Sequence, residues 1–227
     1  FIILNLKIMS NNINPIDWSN NAVALTRSSL TQYYRNFMVQ KLKFFEIIKD
    51  KNLSVLEFGC GFGYFLNYFY NKGYKNLHGI DPDQQLLDQV PKQIKTSLQF
   101  AQKTNLQNNS FDVVFIYCVL HHIGKDKDYF EAIDEAMRVL KPQGYLFICE
   151  PGRHKTFIVM EFIIKILGLF SRLFKSYDAI LEEEKALVHY FLKNHYKIRD
   201  RLRDKKVKEI INKYKLEKWL YVCQKVS

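Results

Sequence analysis

Cysteine is scarce in this chain: four in 227 residues, at positions 60, 118, 149 and 223, none close to another. That spacing argues against a disulfide scaffold and against the closely paired ligands of a zinc site, and it fits a reducing, cytoplasmic setting. Uninterrupted apolar runs are short. The most apolar stretch, Phe157–Phe174, carries Glu161, Lys165 and Arg172 on one helical stripe. At the centre of a bilayer each charge would cost about 2.5–3.5 kcal/mol, which excludes a spanning helix. No secretory leader is legible: no basic region precedes the apolar Phe1–Met9 and no small-residue cleavage site follows it, and Met9 offers an alternative start. Repeats are absent, low complexity is confined to an Asn-rich start, and His, Cys, Asp and Glu nowhere gather at metal-ligand spacing, so no metal site is expected.

What remains has the composition of an ordinary soluble protein, 48% hydrophobic and 25% charged, with length enough for one domain and additions. The formal charge of +11 is uneven. Residues 193–218 hold eleven Lys/Arg against four Asp/Glu, a local excess of seven. Such a segment suits nucleic acid, an acidic lipid surface or an acidic partner. Interleaved Ile198, Leu202, Val207, Ile210 and Ile211 also read as the buried stripe of an amphipathic helix with a solvated basic face.

The apolar pattern divides the chain. Residues 1–24 read as loose. Leu25 to Lys49 predicts a helix, with Leu30, Tyr33, Tyr34, Phe37, Met38, Leu42 and Phe45 at helical spacing. Up to residue 150, short apolar runs (Ser54–Phe58, Leu77–Asp81, Leu98–Ala101, Phe111–Tyr117 and Tyr145–Glu150) alternate with helical candidates near 63–72, 83–90 and 127–140. Alternation of this kind predicts an α/β fold with a doubly wound, mostly parallel sheet covered on both faces. Residues 151–215 read as a helical cap, including a basic helix to about Lys215, and 216–227 as a final strand, Trp219–Val226.

The sharpest motif is Val55-Leu56-Glu57-Phe58-Gly59-Cys60-Gly61-Phe62-Gly63: a buried strand, a glycine-rich turn, then a helix. Glycines let the backbone turn sharply and approach a ligand, and the helix start offers free N–H groups. Alone, this is an ordinary strand–helix turn. However, Asp81 ends the second strand in Gly79-Ile80-Asp81-Pro82, where a carboxylate can accept both hydroxyls of a ribose. A dinucleotide fingerprint would put its third small residue at Tyr64, too bulky for pyrophosphate approach.

From Leu53 to Glu150 the sequence resembles the class I S-adenosylmethionine (SAM)-dependent methyltransferases, particularly the small-molecule group that includes quinone-biosynthesis enzymes. The resemblance rests on Glu57, Gly59, Gly61 and Gly63, on Asp81, on Ser110-Phe111-Asp112-Val113-Val114, on Val119-Leu120-His121-His122-Ile123, and on Arg138–Gly144. It implies a Rossmann-like methyltransferase fold and a SAM site formed by Glu57, Gly59, Cys60, Gly61, Gly63, Asp81, Pro82, Gln102, Lys103 and Tyr117. Gln102 stands where many relatives place an adenine-binding aspartate. The family's sheet ends in an antiparallel hairpin, of which only one strand is legible here.

For chemistry, His121 is the candidate general base, since it follows the fourth strand and its unperturbed pKa lies near neutrality. Glu150, ending the fifth strand, is a second candidate for substrate contact, and Tyr33, Tyr34 and Tyr64 are weaker candidates as pocket walls. Both histidines also suit plain packing. The expected activity is methyl transfer to a small hydrophobic or lipid-like acceptor; the stretch 157–174 reads first as a cap closing the acceptor pocket, with plain packing on the core and, together with 193–218, peripheral membrane contact as the alternatives. The alternatives are a non-catalytic SAM-binding regulatory or partner protein, and an RNA methyltransferase. The last rests only on the basic segment, because no Asn/Asp-Pro-Pro-Tyr/Phe motif is present.

Overall fold

A computed structural model describes residues 29–123, 126–151, 191, 193, 195–215 and 218–226. The expectations for residues 1–24 and for the apolar stretch 157–174 lie outside these. The elements in chain order are α1 (Ser29–Lys41), α2 (Phe44–Ile47), β1 (Val55–Phe58), α3 (Tyr64–Asn71), β2 (Leu77–Asp81), α4 (Gln84–Leu87), β3 (Lys95–Leu98), β4 (Phe111–Tyr117) and a 3-10 turn, Leu120–His122. They continue with α5 (Asp126–Val139), β5 (Leu140–Pro151), α6 over residues 195–204, β6 (Val207–Lys215) and β7 (Lys218–Lys225).

The seven strands form one sheet in the order β3-β2-β1-β4-β5-β7-β6. β1 to β5 run parallel, and β7 lies antiparallel between β5 and β6. The winding reverses at β1, which pairs β2 on one side and β4 on the other. At such a switch point the two following loops part, and a crevice opens beyond the strands' carboxyl ends.

Alternate residues of the central strands feed two cores. Val114 and Ile116 of β4 pack with Ala132, Ile133 and Ala136 of α5. Val113 and Phe115 pack on the other face with Met38 of α1 and Phe69 of α3. Phe44 joins the second core by stacking on Phe69 at 4.3 Å and tilting against Phe147 at 4.9 Å. Each such aromatic pair contributes about 0.5–1.5 kcal/mol beyond its burial.

Several local expectations shift. The N-terminal helix breaks at Lys43, whose φ of 57° is left-handed. β3 forms three residues earlier than the apolar run suggests. It is an edge strand pairing only β2, which leaves Leu98 and Phe100 exposed. α4 is a single turn, capped by the Asp83 side chain accepting from the Gln85 and Leu86 N–H groups.

The largest correction is at the C-terminus. The basic helix expected to Lys215 ends at Lys206 (φ 54°), and Val207–Lys215 is the second hairpin strand that the sequence did not disclose. Pairing with β7 slips between Glu209 and Ile211. The bulge inverts the alternation, so Val207 meets the α5-side core while Ile211, four residues on, is buried in the other. In an unbroken strand those two would share a face, and four-residue spacing reads as helix.

Candidate functional site

The glycine-rich turn leaves β1 at the sheet's switch point. Gly59 (φ +63°) has conformational and spatial reasons to lack a side chain: a Cβ there would lie 2.5 Å from Val119 Cγ2. The turn after β1 therefore rests directly on the segment after β4. Gly61 (φ +53°) differs, because a Cβ there would meet nothing within 4 Å among the described residues. It borders open space. Gly63 caps the start of α3. The Cys60 N–H donates to the Ile80 carbonyl at 2.9 Å, while the thiol packs toward Gly79, where a Cβ would be 2.6 Å from Sγ. Burial pushes that thiol's pKa well up, so Cys60 can offer the turn's concave side its backbone only.

Two carboxylates lie behind the turn. Asp81, ending β2, accepts the Gly61 N–H on Oδ2 at 2.8 Å and the Asp83 N–H on Oδ1 at 3.0 Å. Burial raises its pKa to about 6, against the lowering effect of those two donors. Glu57 is 2% exposed, and its Oε2 accepts no hydrogen bond among the described residues. Desolvation pushes its carboxyl well above the usual range, opposed chiefly by the charge of Arg35. Such an oxygen is costly to bury without a partner.

The remaining predicted positions spread along the same edge. Pro82 is half-buried in the turn after β2, while Gln102 is half-buried and Lys103 exposed in the turn after β3. That second turn is held beside Asp81 by the Gln99 N–H donating to the Asp81 carbonyl at 3.1 Å. Beyond it, Thr104 is tied to Glu135 of α5, which Arg138 also holds. Tyr117 closes β4 over Phe65, with ring centroids 4.6 Å apart. Of the three tyrosines considered as pocket walls, Tyr33 is 71% exposed, and the Tyr34 side chain lies outside the described positions. Tyr64 lies at the site: its hydroxyl donates to the Gln32 carbonyl at 3.1 Å and meets Asn36 Oδ1 at 3.0 Å.

After β4 the backbone turns through Cys118 (φ 55°) into the 3-10 turn. Glu150 organises this segment. Its Oε1 accepts the N–H groups of Val119 at 2.8 Å and Leu120 at 2.9 Å, and its Oε2 accepts from His121 Nδ1 at 2.6 Å. Both side chains are buried, at 1% and 0% exposure. With Nδ1 donating to a carboxylate, Nε2 is the ring's basic nitrogen. His122 lies 3.6 Å from His121 between ring centroids. Burial first, then the neighbouring His121, holds its pKa well below the histidine range, as suits a packing role.

Two side chains at this edge escaped the sequence reading. Arg35 of α1 lies over the rings of Tyr64 (4.9 Å) and Phe62 (5.8 Å). Lys218, where β7 meets the end of β5, donates to Cys118 Sγ at 3.0 Å. Arg35 sits in no motif and Lys218 is one of many lysines in a basic tail, so only folding marks them.

Two cations of the basic segment are engaged elsewhere: Arg201 and Lys205 both pair with Asp134 of α5. Among the described residues there is no cluster of metal-ligand type, and no helix is long and apolar enough to cross a membrane.

Comparison with known proteins agrees with this fold. A family model described as a methyltransferase domain matches residues 56–148. An uncharacterised protein of Methanocaldococcus jannaschii is 28% identical over 160 residues, 69% of this chain and 66% of that protein. A methyltransferase-like protein of Schizosaccharomyces pombe is 28% identical over 130 residues, 56% of this chain and 49% of that protein. The chain thus spans from about half to about two thirds of the length of these relatives. The crystal structure of a SAM-dependent methyltransferase from Aquifex aeolicus superposes with a TM-score of 0.53 at 16% identity, covering 80% of this chain and 88% of that one, a likeness of fold.

Proposed function

We propose that the chain, whose residues 56–148 match a methyltransferase-domain model, is a SAM-dependent methyltransferase that acts on a small hydrophobic acceptor, with His121 as general base. Two features support SAM at the glycine turn: the open space at Gly61 and the unpartnered Glu57 Oε2. Asp81 accepts the ribose hydroxyls, Glu57 faces the cationic amino group, and the Gln102 amide carbonyl accepts from the adenine amine. Gly59, Gly63 and the Cys60 backbone shape the turn, and Pro82, Lys103 and Tyr117 flank it. When bound, SAM supplies a methyl group already activated on a sulfonium. The chain's own residues then have three tasks: to align the acceptor, exclude water and take a proton.

The observation that carries the base assignment is the buried His121–Glu150 pair, two residues from the Val119 that packs on Gly59. Glu150 orients the ring and stabilises the imidazolium formed when Nε2 takes a proton. An acceptor with an acidic O–H uses such a base; a neutral amine needs none. Phe191 stands 6.2 Å from His121, with Trp219 at 6.4 Å and Tyr129 at 5.8 Å from Phe191. These aromatics belong to the packed core that holds His121 in place; the apolar sequence 157–174 supports a hydrophobic acceptor such as a quinone or lipid precursor, reached from a membrane surface.

Titration calorimetry with SAM and with NAD tests the cofactor, and binding of NAD alone overturns the reading. Transfer of labelled methyl to fractionated lipid and metabolite extracts tests the acceptor class. In His121→Ala, turnover falls about 10²–10⁴-fold with SAM affinity kept; undiminished turnover removes the base. Flotation with anionic liposomes, for wild type and a Phe162→Glu/Leu169→Glu variant, tests membrane contact.

A further inference from the structure

The strand order lays the proposed cofactor out along one edge of the sheet. With the ribose on Asp81 of β2, the reacting sulfonium must lie toward β4 and His121, the direction in which β1 and β4 follow. The base is left on the opposite side, over β3 and the turn that leaves it. Leu98 stands beside Asp81 in the strand register and is 54% exposed, an apolar surface that a purine ring would cover.

That turn is fastened at both ends. Entering it, the Gln99 N–H donates to the Asp81 carbonyl at 3.1 Å, and the Lys103 N–H closes back on the Phe100 carbonyl at 3.3 Å. Leaving it, the Thr104 N–H donates to Glu135 Oε1 at 2.8 Å, and Arg138 grips both oxygens of that carboxylate. Its two glutamines differ. The Gln99 amide has a fixed orientation, since its Oε1 accepts the Asn105 N–H at 2.6 Å and its Nε2 donates to Ser97 Oγ at 2.8 Å. Gln102 is half-buried, and among the described residues no hydrogen bond holds its amide. Its backbone is set, while the terminal amide turns over about a soft sp³–sp² bond.

A primary amide carries an acceptor and a donor on one carbon. Adenine presents an amine donor beside the N1 acceptor. A 6-oxo purine presents an oxygen acceptor beside an N1–H donor, the same pair reversed. Turned one way, the amide accepts from the adenine amine and donates to N1. Turned over, it donates to the 6-oxo oxygen and accepts from N1–H. A carboxylate in its place only accepts, so it serves adenine and opposes the oxo group. We infer, on the SAM reading above, that Gln102 makes the base subsite indifferent between 6-amino and 6-oxo purines, so that the chain binds S-inosyl as well as S-adenosyl sulfur nucleosides.

Calorimetry of the full chain with S-adenosylhomocysteine and S-inosylhomocysteine tests this. Wild type should bind the two with affinities within about fivefold of each other. Gln102→Glu keeps the shape and removes the donor, and it should favour S-adenosylhomocysteine by about tenfold to a hundredfold, because two acceptors then face each other in the inosyl complex. Gln102→Ala removes both bonding groups and should weaken the two nucleosides by the same factor, with thermal unfolding like that of wild type. A wild-type preference beyond about fivefold in either direction, a ratio that Gln102→Glu leaves unchanged, or unequal losses in Gln102→Ala overturns the inference. Wild type that binds neither nucleoside overturns the cofactor reading, and this one with it.

Discussion

Replacing Asp81 separates the cofactor site from the fold around it. The carboxylate is 6% exposed and its pKa stands at about 6, raised chiefly by burial. Against an ordinary value of 3.8, the shift makes its ionised form costlier by on the order of 3 kcal/mol than in water. The folded pKa lies above the unfolded one. The cost is therefore absent below the unfolded pKa, grows as pH rises between the two values, and is fully present above about pH 6. A ribose donating two hydroxyls relieves that cost, so binding selects the ionised form and lowers its pKa. At about pH 5.5, roughly three quarters of the free protein holds the proton, and SAM binding should release that fraction; at about pH 7.5 it should release almost none. Calorimetry in two buffers of different ionisation enthalpy counts the protons. In Asp81→Asn the release disappears. Affinity at about pH 7.5 falls by about 1.5–3 kcal/mol, since an amide nitrogen cannot accept from Gly61, Asp83 or a ribose hydroxyl. Proton release that is zero at both pH values, or unchanged affinity in the folded variant, would refute the assignment.

Other outcomes follow from the same geometry. Gly61→Val should lose SAM binding while the sheet persists, with a strain cost of about 1–2 kcal/mol for its left-handed backbone; no atom of the described residues fills that space, and normal affinity would show that no ligand does either. Gly59→Ala should destabilise by about 1–3 kcal/mol through its contact with Val119, and adding Val119→Ala should recover part of this in thermal unfolding. Equal stability of the single and double variants would contradict the contact. Glu150→Gln should leave SAM affinity intact while kcat falls and the low-pH limb of the rate profile moves to lower pH, because the imidazolium loses its carboxylate. An unmoved profile would reduce Glu150 to a structural support.

The sequence by itself determined the parallel α/β core and its glycine-rich turn, because both are local. Buried parallel strands are nearly continuous in apolar residues, as Val55–Phe58 and Phe111–Tyr117 are but for Glu57 and Asp112. A turn that keeps its backbone open to approach must omit a side chain, as at Gly61. Tertiary structure decided what depends on partners distant in the chain. β6 exists because β7 offers it a ladder, and its bulge disguises the alternation that would have announced a strand. Glu150 proves to hold His121 across 29 residues, Lys218 meets Cys118 across 100, and Arg35 reaches the turn after β1 from the N-terminal helix. In each case the signal is a distance between side chains, which no spacing along the chain encodes. The thiol of Cys60 makes the same point in reverse: it sits inside the motif, yet packing against Gly79 turns it away from the site.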